Sequence, residues 1–382
     1  MWFRSLAALP ALALVSVAGA QAPERDYVVL VASEAVDVIS RVRFGPGAGP
    51  ALAKVEATTT VGINRMDPDG PHGLALSPDD RHYYVSTAHG APFGSLWKFD
   101  ARTNEGLGRV ELGNFPASAQ VTPDGGFVYV VNFNLHGEMV PSDVSVVSTD
   151  PFVEVARIQT CTMPHGSRIN SAGTKHYSAC MMDDMLIEID TREMAVSRHF
   201  MLKKGSEHGM PGVPGAGHGG RASSGGHDTH QMASADPGAC APTWAQPSAD
   251  GRRIFVACNK SNDIVEIDAT TWAMTRRIAA GDGVYNLATT RDGTLLLATN
   301  KRGQSVSIID VASGKELARV PTKRRVVHGV VISPDDRYAF VSVEGVGSEP
   351  GTVEMIDLRT RQRVASADVG QMAGGIDVLR NP

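Results

Sequence analysis

Three histidines in this chain, His72, His165 and His328, are each followed by glycine and each open a short apolar run: "PHGLAL", "PHGSRI" and "VHGVVI". Imidazole nitrogens bind copper and zinc well, so three such residues brought to one point would make a metal site. The flanking glycines suggest room for a ligand close to the backbone. His89, His136 and Glu138 lie in nearby loop sequences, "TAHG" and "LHGEM", and could add to the same site. A second concentration sits between residues 203 and 241, a Gly-, Pro- and Ser-rich stretch holding His208, Met210, His218, His227, His230 and Met232. Such a tract is too polar to pack a core and can wrap a metal without a preformed cage.

The four cysteines offer different chemistry. Cys161 and Cys180 are 19 residues apart, and Cys240 and Cys258 repeat the arrangement 18 residues apart. Each pair flanks a hairpin, so bridges Cys161–Cys180 and Cys240–Cys258 are the preferred reading. Pairing across the two hairpins is the alternative. So is a soft Cu(I) site made of Cys180, Met163, Met181 and His165.

The elements that must position these residues are repeats. "PHGLALSPDDRHYYVST" (71–87), "PASAQVTPDGGFVYVVN" (116–132), "PHGSRINSAGTKHYSAC" (164–180), "PTWAQPSADGRRIFVAC" (242–258), "VYNLATTRDGTLLLATN" (284–300) and "VHGVVISPDDRYAFVSV" (327–343) align on their central turns. Each reads as strand, Ser/Thr-x-Asp-type turn, strand. A third strand ending in Asp follows most copies ("SLWKFD", "MLIEID", "DIVEID", "SVSIID", "TVEMID"). Four antiparallel strands recurring every roughly 40 to 50 residues are blades of a propeller. "YVVLVASEAVDVIS" lacks a first strand and "GQMAGGIDVLR" is a first strand without followers. Together they complete a seventh blade and close the ring. The expectation is an all-β, seven-bladed propeller over residues 21–382, with 203–241 a flexible insertion between blades four and five.

The repeat resembles the YVTN, or YncE-like, family of seven-bladed propellers, most closely in "PHGLALSPDDRHYYVST" and "VHGVVISPDDRYAFVSV". The resemblance implies the fold across the whole mature chain and leaves the function open, because propellers host binding, scaffolding and catalysis.

Residues 1–20 have one basic residue, Arg4, an apolar stretch from Leu6 to Val17, and Ala18-Gly19-Ala20. That is the pattern of a cleaved export signal, which would place the mature protein in the periplasm or outside the cell with no membrane span. An oxidising compartment also suits disulfides. The net charge of −5 gives no electrostatic reason to expect nucleic acid. No nucleophile elbow, HExxH or phosphate-binding loop occurs, nor a CxxCH haem attachment sequence.

The reading from sequence is therefore an exported propeller that binds a ligand at one channel mouth. The favoured ligand is a transition metal, copper first and zinc as the alternative, held by His72, His165 and His328. A small-molecule ligand, a metal-dependent oxidoreductase or lactonase-like hydrolase at the same mouth, and a scaffold for a periplasmic protein partner are the competing readings.

Overall fold

The computed structural model describes residues 22–63, 67–89, 93–214 and 238–381. The chain forms seven antiparallel sheets, each one blade of a closed propeller. Blade one joins both ends: its innermost strand is Ala373–Val378, followed outward by Tyr27–Ser33, Val38–Phe44 and Ala53–Thr60. Val29 pairs with Val378 and Val31 with Ile376, which leaves no open sheet edge at the terminal seam. Blades two to seven begin with Pro71–Leu76, Pro116–Val121, Pro164–Ile169, Pro242–Pro247, Val284–Thr289 and Val327–Ile332.

The turn residues that recur from blade to blade act locally. In blade two Ser77 Oγ donates to Asp79 Oδ1 at 2.6 Å and accepts from His82 N at 2.9 Å, which closes the hairpin. Thr122 with Asp124, Ser248 with Asp250, Thr290 with Asp292 and Ser333 with Asp335 repeat the hydroxyl-to-carboxylate bond. Blade four lacks the pair, and Asn170 Oδ1 accepts from Thr174 N and Lys175 N instead. In blades two, four, five, six and seven the Asp ending the third strand caps the next turn: Asp268 Oδ1, for example, accepts from Thr270 N and Thr271 N.

Apolar side chains alternate along the strands and meet between neighbouring blades. Tyr27, Phe44, Tyr338 and Phe340 pack blade one on blade seven, and Phe200, Trp272 and Ile254 pack blade four on blade five. Other carboxylates are structural. Glu188, Glu266 and Glu354 are buried on third strands and pair with Arg198, Arg276 and Arg363 on the adjacent fourth strands.

The insertion departs from a wholly flexible loop. His208–Pro211 is a fifth strand on the outer edge of blade four, with Met210 opposite His199 and His208 opposite Met201. The fourth strand has a free row of backbone donors and acceptors there, and the incoming segment satisfies them. His199 Nδ1–H also donates to Gly212 O at 2.8 Å. No helix among the described residues is long and apolar enough to cross a membrane.

Candidate functional site at the channel mouth

The second residue of each first strand forms one ring at the mouth: His72, Ala117, His165, Thr243, Tyr285, His328 and Gly374. Hydrogen bonds run around this ring from blade to blade. His72 Nδ1–H donates to Ala117 O at 2.8 Å, His165 Nδ1–H to Thr243 O at 3.0 Å, and Thr243 Oγ1–H to Tyr285 O at 2.8 Å. The Gly374 carbonyl stands beside His328 in the corresponding place. Because a carbonyl can only accept, Nδ1 carries a proton in both His72 and His165, and in His165, which burial keeps neutral, Nε2 holds the lone pair.

The strand starts are held by the preceding blades. Asp37 of blade one accepts from Asp69 N and Gly70 N. Asp184 of blade four accepts from Cys240 N and Ala241 N. Glycine after each ring histidine has a different purpose from the one its sequence suggests. A Cβ at Gly166 would stand 2.3 Å from Thr243 O, and one at Gly329 would stand 2.7 Å from Ile376 Cγ2. These glycines admit the next blade rather than a ligand.

The three histidines do approach one another. Ring centroids are 5.5 Å apart for His72 and His328 and 6.2 Å apart for His72 and His165. Between His165 and His328 stands Tyr285, with its ring 5.4 Å from the first and 5.0 Å from the second. Its hydroxyl donates to His165 Nε2 at 3.0 Å. That wedge keeps the three imidazoles from closing on a point. Among the described residues no three His, Cys, Asp or Glu side chains are gathered to hold a metal ion as they stand.

Charged groups surround this ring; His89 and Glu344 are loop residues that the sequence places on this face, whereas Glu34 and Lys301 were not singled out there. Glu34, on the short 3-10 turn Glu34–Val36, accepts from His89 Nε2 at 2.6 Å and lies 3.9 Å from His72 Nε2. Glu344 lies 2.8 Å from Lys301 Nζ and 3.9 Å from His328 Nε2. Lys301 Nζ is 4.4 Å from the centre of the Tyr285 ring. Their repeat positions gave a signal: Glu34, His89, Lys301 and Glu344 each follow the end of a second strand.

These contacts set protonation. Burial, reinforced by His72 and Lys301, pushes His165 down to about 3, and burial holds His328 well below the usual histidine range, so both are neutral at pH 7. Hydrogen bonding to Glu34 raises His89. Burial of Glu34 opposes its ionisation, but His72, His89 and Lys301 outweigh that and hold its carboxyl below the ordinary range. Burial likewise opposes the charge on Lys301, and Tyr285 and Glu344 more than offset it.

Of the other residues marked from sequence, His136 packs near this group, 5.6 Å from the His89 ring and 5.4 Å from Phe115. Glu138 is exposed and contributes its carbonyl to Asn134 Nδ2. His208 and Met210 sit on the outer edge of blade four, at the perimeter rather than the mouth. His218, His227, His230 and Met232 lie outside the described residues. Cys161 is bridged to Cys180 and Cys240 to Cys258, which removes Cys180 as a copper ligand.

Above the ring a cavity of about 980 Å³ opens. Tyr285, Thr243 and Lys301 line it, with Met181, Met182 and Val346 among its walls. Lys260, Arg302 and Arg325 also border it. Ala239 and Ala241, at the returning end of the insertion, line the same cavity, and Lys204 N bonds Gly238 O at the insertion's base. The arrangement can hold an anionic, oxygen-bearing molecule over hydrogen-bonding groups of fixed protonation.

No protein-family model and no curated protein sequence matches the chain. Solved structures do. A periplasmic gluconolactonase from Pseudomonas aeruginosa superposes with a TM-score of 0.68 at 16% identity, over 94% of this chain and 100% of that one. A protein of unknown function from Desulfotomaculum acetoxidans gives 0.65 at 12% identity, over 93% and 99%. Hydrazine synthase from Kuenenia stuttgartiensis gives 0.62 at 20% identity, over 86% and 99%. At these identities the likeness is one of fold, and the fold it establishes is the seven-bladed β-propeller.

Proposed function

We propose that this protein is an exported propeller that binds a small, oxygen-rich ligand, a sugar-acid anion or its neutral lactone, at the mouth above the histidine ring. The observation that carries this reading is the cavity of about 980 Å³ lined by Tyr285, Thr243 and Lys301 and bordered by Lys260, Arg302 and Arg325. A partly apolar pocket with a few convergent polar groups is the form that small-molecule sites take. The fold shared with a periplasmic gluconolactonase supports a ligand of this class. The repeat's resemblance to YVTN propellers supports the architecture and adds no substrate. An export leader and two disulfides together support an oxidising location.

Titration calorimetry with gluconate and glucono-lactone, on the wild type and on Lys301→Met, tests the reading. Saturable binding that weakens at least tenfold in the variant is expected. No binding, or equal binding by both proteins, overturns it. Lactone consumption followed in a pH-stat separates an enzyme from a binding protein.

A second reading is copper, or zinc, on His72, His165 and His328. It is favoured by one observation: Nδ1 of His72 and His165 is fixed by a backbone carbonyl, which leaves Nε2 as the ligating atom. The insertion, with His227, His230 and Met232, would then serve metal capture. Metal analysis of untagged protein after copper loading, beside the triple alanine variant of the three histidines, tests it. Equal, near-zero metal in both overturns it.

A further inference from the structure

Below the histidine ring the channel continues toward the hairpin turns as a second cavity of about 280 Å³. His72 and His328 line it at one end, and Arg291, Asp336 and Arg380 line it near the turns. Its walls carry a second tier of polar side chains, three residues beyond the ring along each first strand. Gln120, Arg168, Gln246 and Asp377 occupy four of these seven positions.

Arg168 is under-used there. A guanidinium offers five N–H donors, and among the described residues its one hydrogen bond is from Nη1 to Ser167 O at 3.1 Å. Among the described residues no carboxylate lies within ion-pair distance of it; Asp377 acts on it only at longer range, and the guanidinium lies over the Trp244 ring, 4.5 Å from its centre. Asp377, the carboxylate on the same tier, is occupied by backbone donors: Leu76 N at 2.9 Å and Val378 N at 2.8 Å.

Two further polar atoms on the walls of this cavity are buried and make no hydrogen bond among the described residues: Trp244 Nε1 and Asn286 Oδ1. Trp244 is only 7% exposed. An indole N–H can only donate, and leaving it unmet is costly. The oxygen and nitrogen of an asparagine amide can be exchanged by a flip, so Asn286 can also present donors to the same space. A buried cation whose nearby carboxylate, Asp377, is engaged by backbone donors, beside an indole N–H without an acceptor, asks for an anionic ligand that accepts hydrogen bonds.

We infer that the channel interior is a binding site for a small oxyanion, a short-chain carboxylate or an inorganic oxyanion, held by the Arg168 guanidinium and the Trp244 indole N–H. The site is separate from the mouth, and the two proposals stand or fall independently, since neither Arg168 nor Trp244 borders the mouth cavity.

The indole N–H signals of ¹⁵N-labelled protein report on it directly. Trp244→Phe assigns the relevant resonance. Trp97 and Trp272 serve as internal controls, because their indoles already donate to Thr87 Oγ1 and His199 O. Sodium acetate and sodium sulfate are titrated against sodium chloride at matched ionic strength. A saturable shift confined to the Trp244 signal, weakened at least tenfold in Arg168→Gln with the Trp97 and Trp272 signals unmoved, is expected. Saturation with acetate alone identifies a carboxylate site, and saturation with sulfate alone an inorganic one. No saturable shift with either anion, or the same affinity in Arg168→Gln, overturns the inference. Should Arg168→Gln fail to fold, Gln246→Ala and Asn286→Ala provide the affinity comparison on the same walls.

Discussion

The Tyr285 hydroxyl donates to His165 Nε2 at 3.0 Å, so the phenol occupies the lone pair that a metal would need. The two readings of the mouth therefore make opposite predictions for Tyr285→Phe. Removing the hydroxyl leaves a buried acceptor unmet and should cost about 1–3 kcal/mol of stability in denaturant titrations. If the mouth takes an organic anion, its affinity for gluconate falls. If the three histidines take copper, copper affinity rises, because the competing hydrogen bond is gone. Calorimetry with each ligand on the two proteins decides between them.

Glu34 favours the charged form of His89, and the pair gives the mouth a pH dependence. His89 is raised above its ordinary value of about 6.5 by Glu34, and Glu34 is held below the ordinary carboxylate range. The contribution of His89 is complete below pH 6.5 and is lost as pH rises through its raised folded value. That of Glu34 is present above the ordinary carboxylate range and is lost as pH falls through its lowered value. In Glu34→Gln the His89 titration, followed by NMR of its ring protons, should move down toward 6.5. An unchanged titration would mean that the ion pair does not form in solution.

How much of this was legible in the sequence follows from which forces are local. Hairpins closed by Ser77 with Asp79, and turns capped by Asp268, are written in residues two to five positions apart. The blades, and the seam that joins Val29 to Val378, could thus be read directly. Equivalent positions also placed His72, His165 and His328 on one ring. What resisted reading was side-chain competition across blades. Tyr285 reaches His165 over 120 residues, and Glu34 reaches His89 over 55. Neither pairing leaves a pattern in either segment alone. The glycines after the ring histidines misled for the same reason, since the group they make room for belongs to the following blade. The fifth strand at His208–Pro211 was hidden because its stability comes from an edge, not from its own Gly- and Pro-containing composition.

His176 is buried, stacked on Tyr129 with centroids 5.2 Å apart, and neither ring nitrogen makes a hydrogen bond within the protein. Burial pushes it down to about 3. The unfolded chain binds this proton from about pH 6.5 downward and the folded one does not, so stability falls as pH drops from 6.5 toward 3. At pH 5 the loss is about 2 kcal/mol for this residue. His176→Phe keeps the stack and removes the titration. It should unfold at a higher temperature than wild type at pH 5, by more than at pH 8. An equal difference at both pH values would show that the histidine is not held neutral.

The two disulfides close loops of similar length, with separations of 19 and 18 residues, in adjacent blades. Each should contribute about 3 kcal/mol through the unfolded chain. Reductant in a denaturant titration is expected to lower the midpoint for the wild type. It should lower it by roughly half as much once Cys161 and Cys180 are both replaced by Ala. No response to reductant would mean that the bridges do not form.

Asp80 closes the ring at the end of the C-terminal strand. Its carboxylate accepts from Arg380 N and Asn381 N, both at 2.8 Å, and pairs with Arg380 Nη1 at 3.1 Å. It also holds a positive φ of 57° in the blade-two turn, a conformation that Asn tolerates and Ala resists. Asp80→Ala loses both the charge-assisted bonds and the turn preference, and should cost about 2–4 kcal/mol. Asp80→Asn keeps the turn and one acceptor, so its cost should be about half as large. Hydrogen exchange should then locate the change, with faster exchange of the amides between Val29 and Val378 in Asp80→Ala than in Asp80→Asn. Loss of protection spread evenly over all seven blades would show that the seam is no weaker than the rest of the ring.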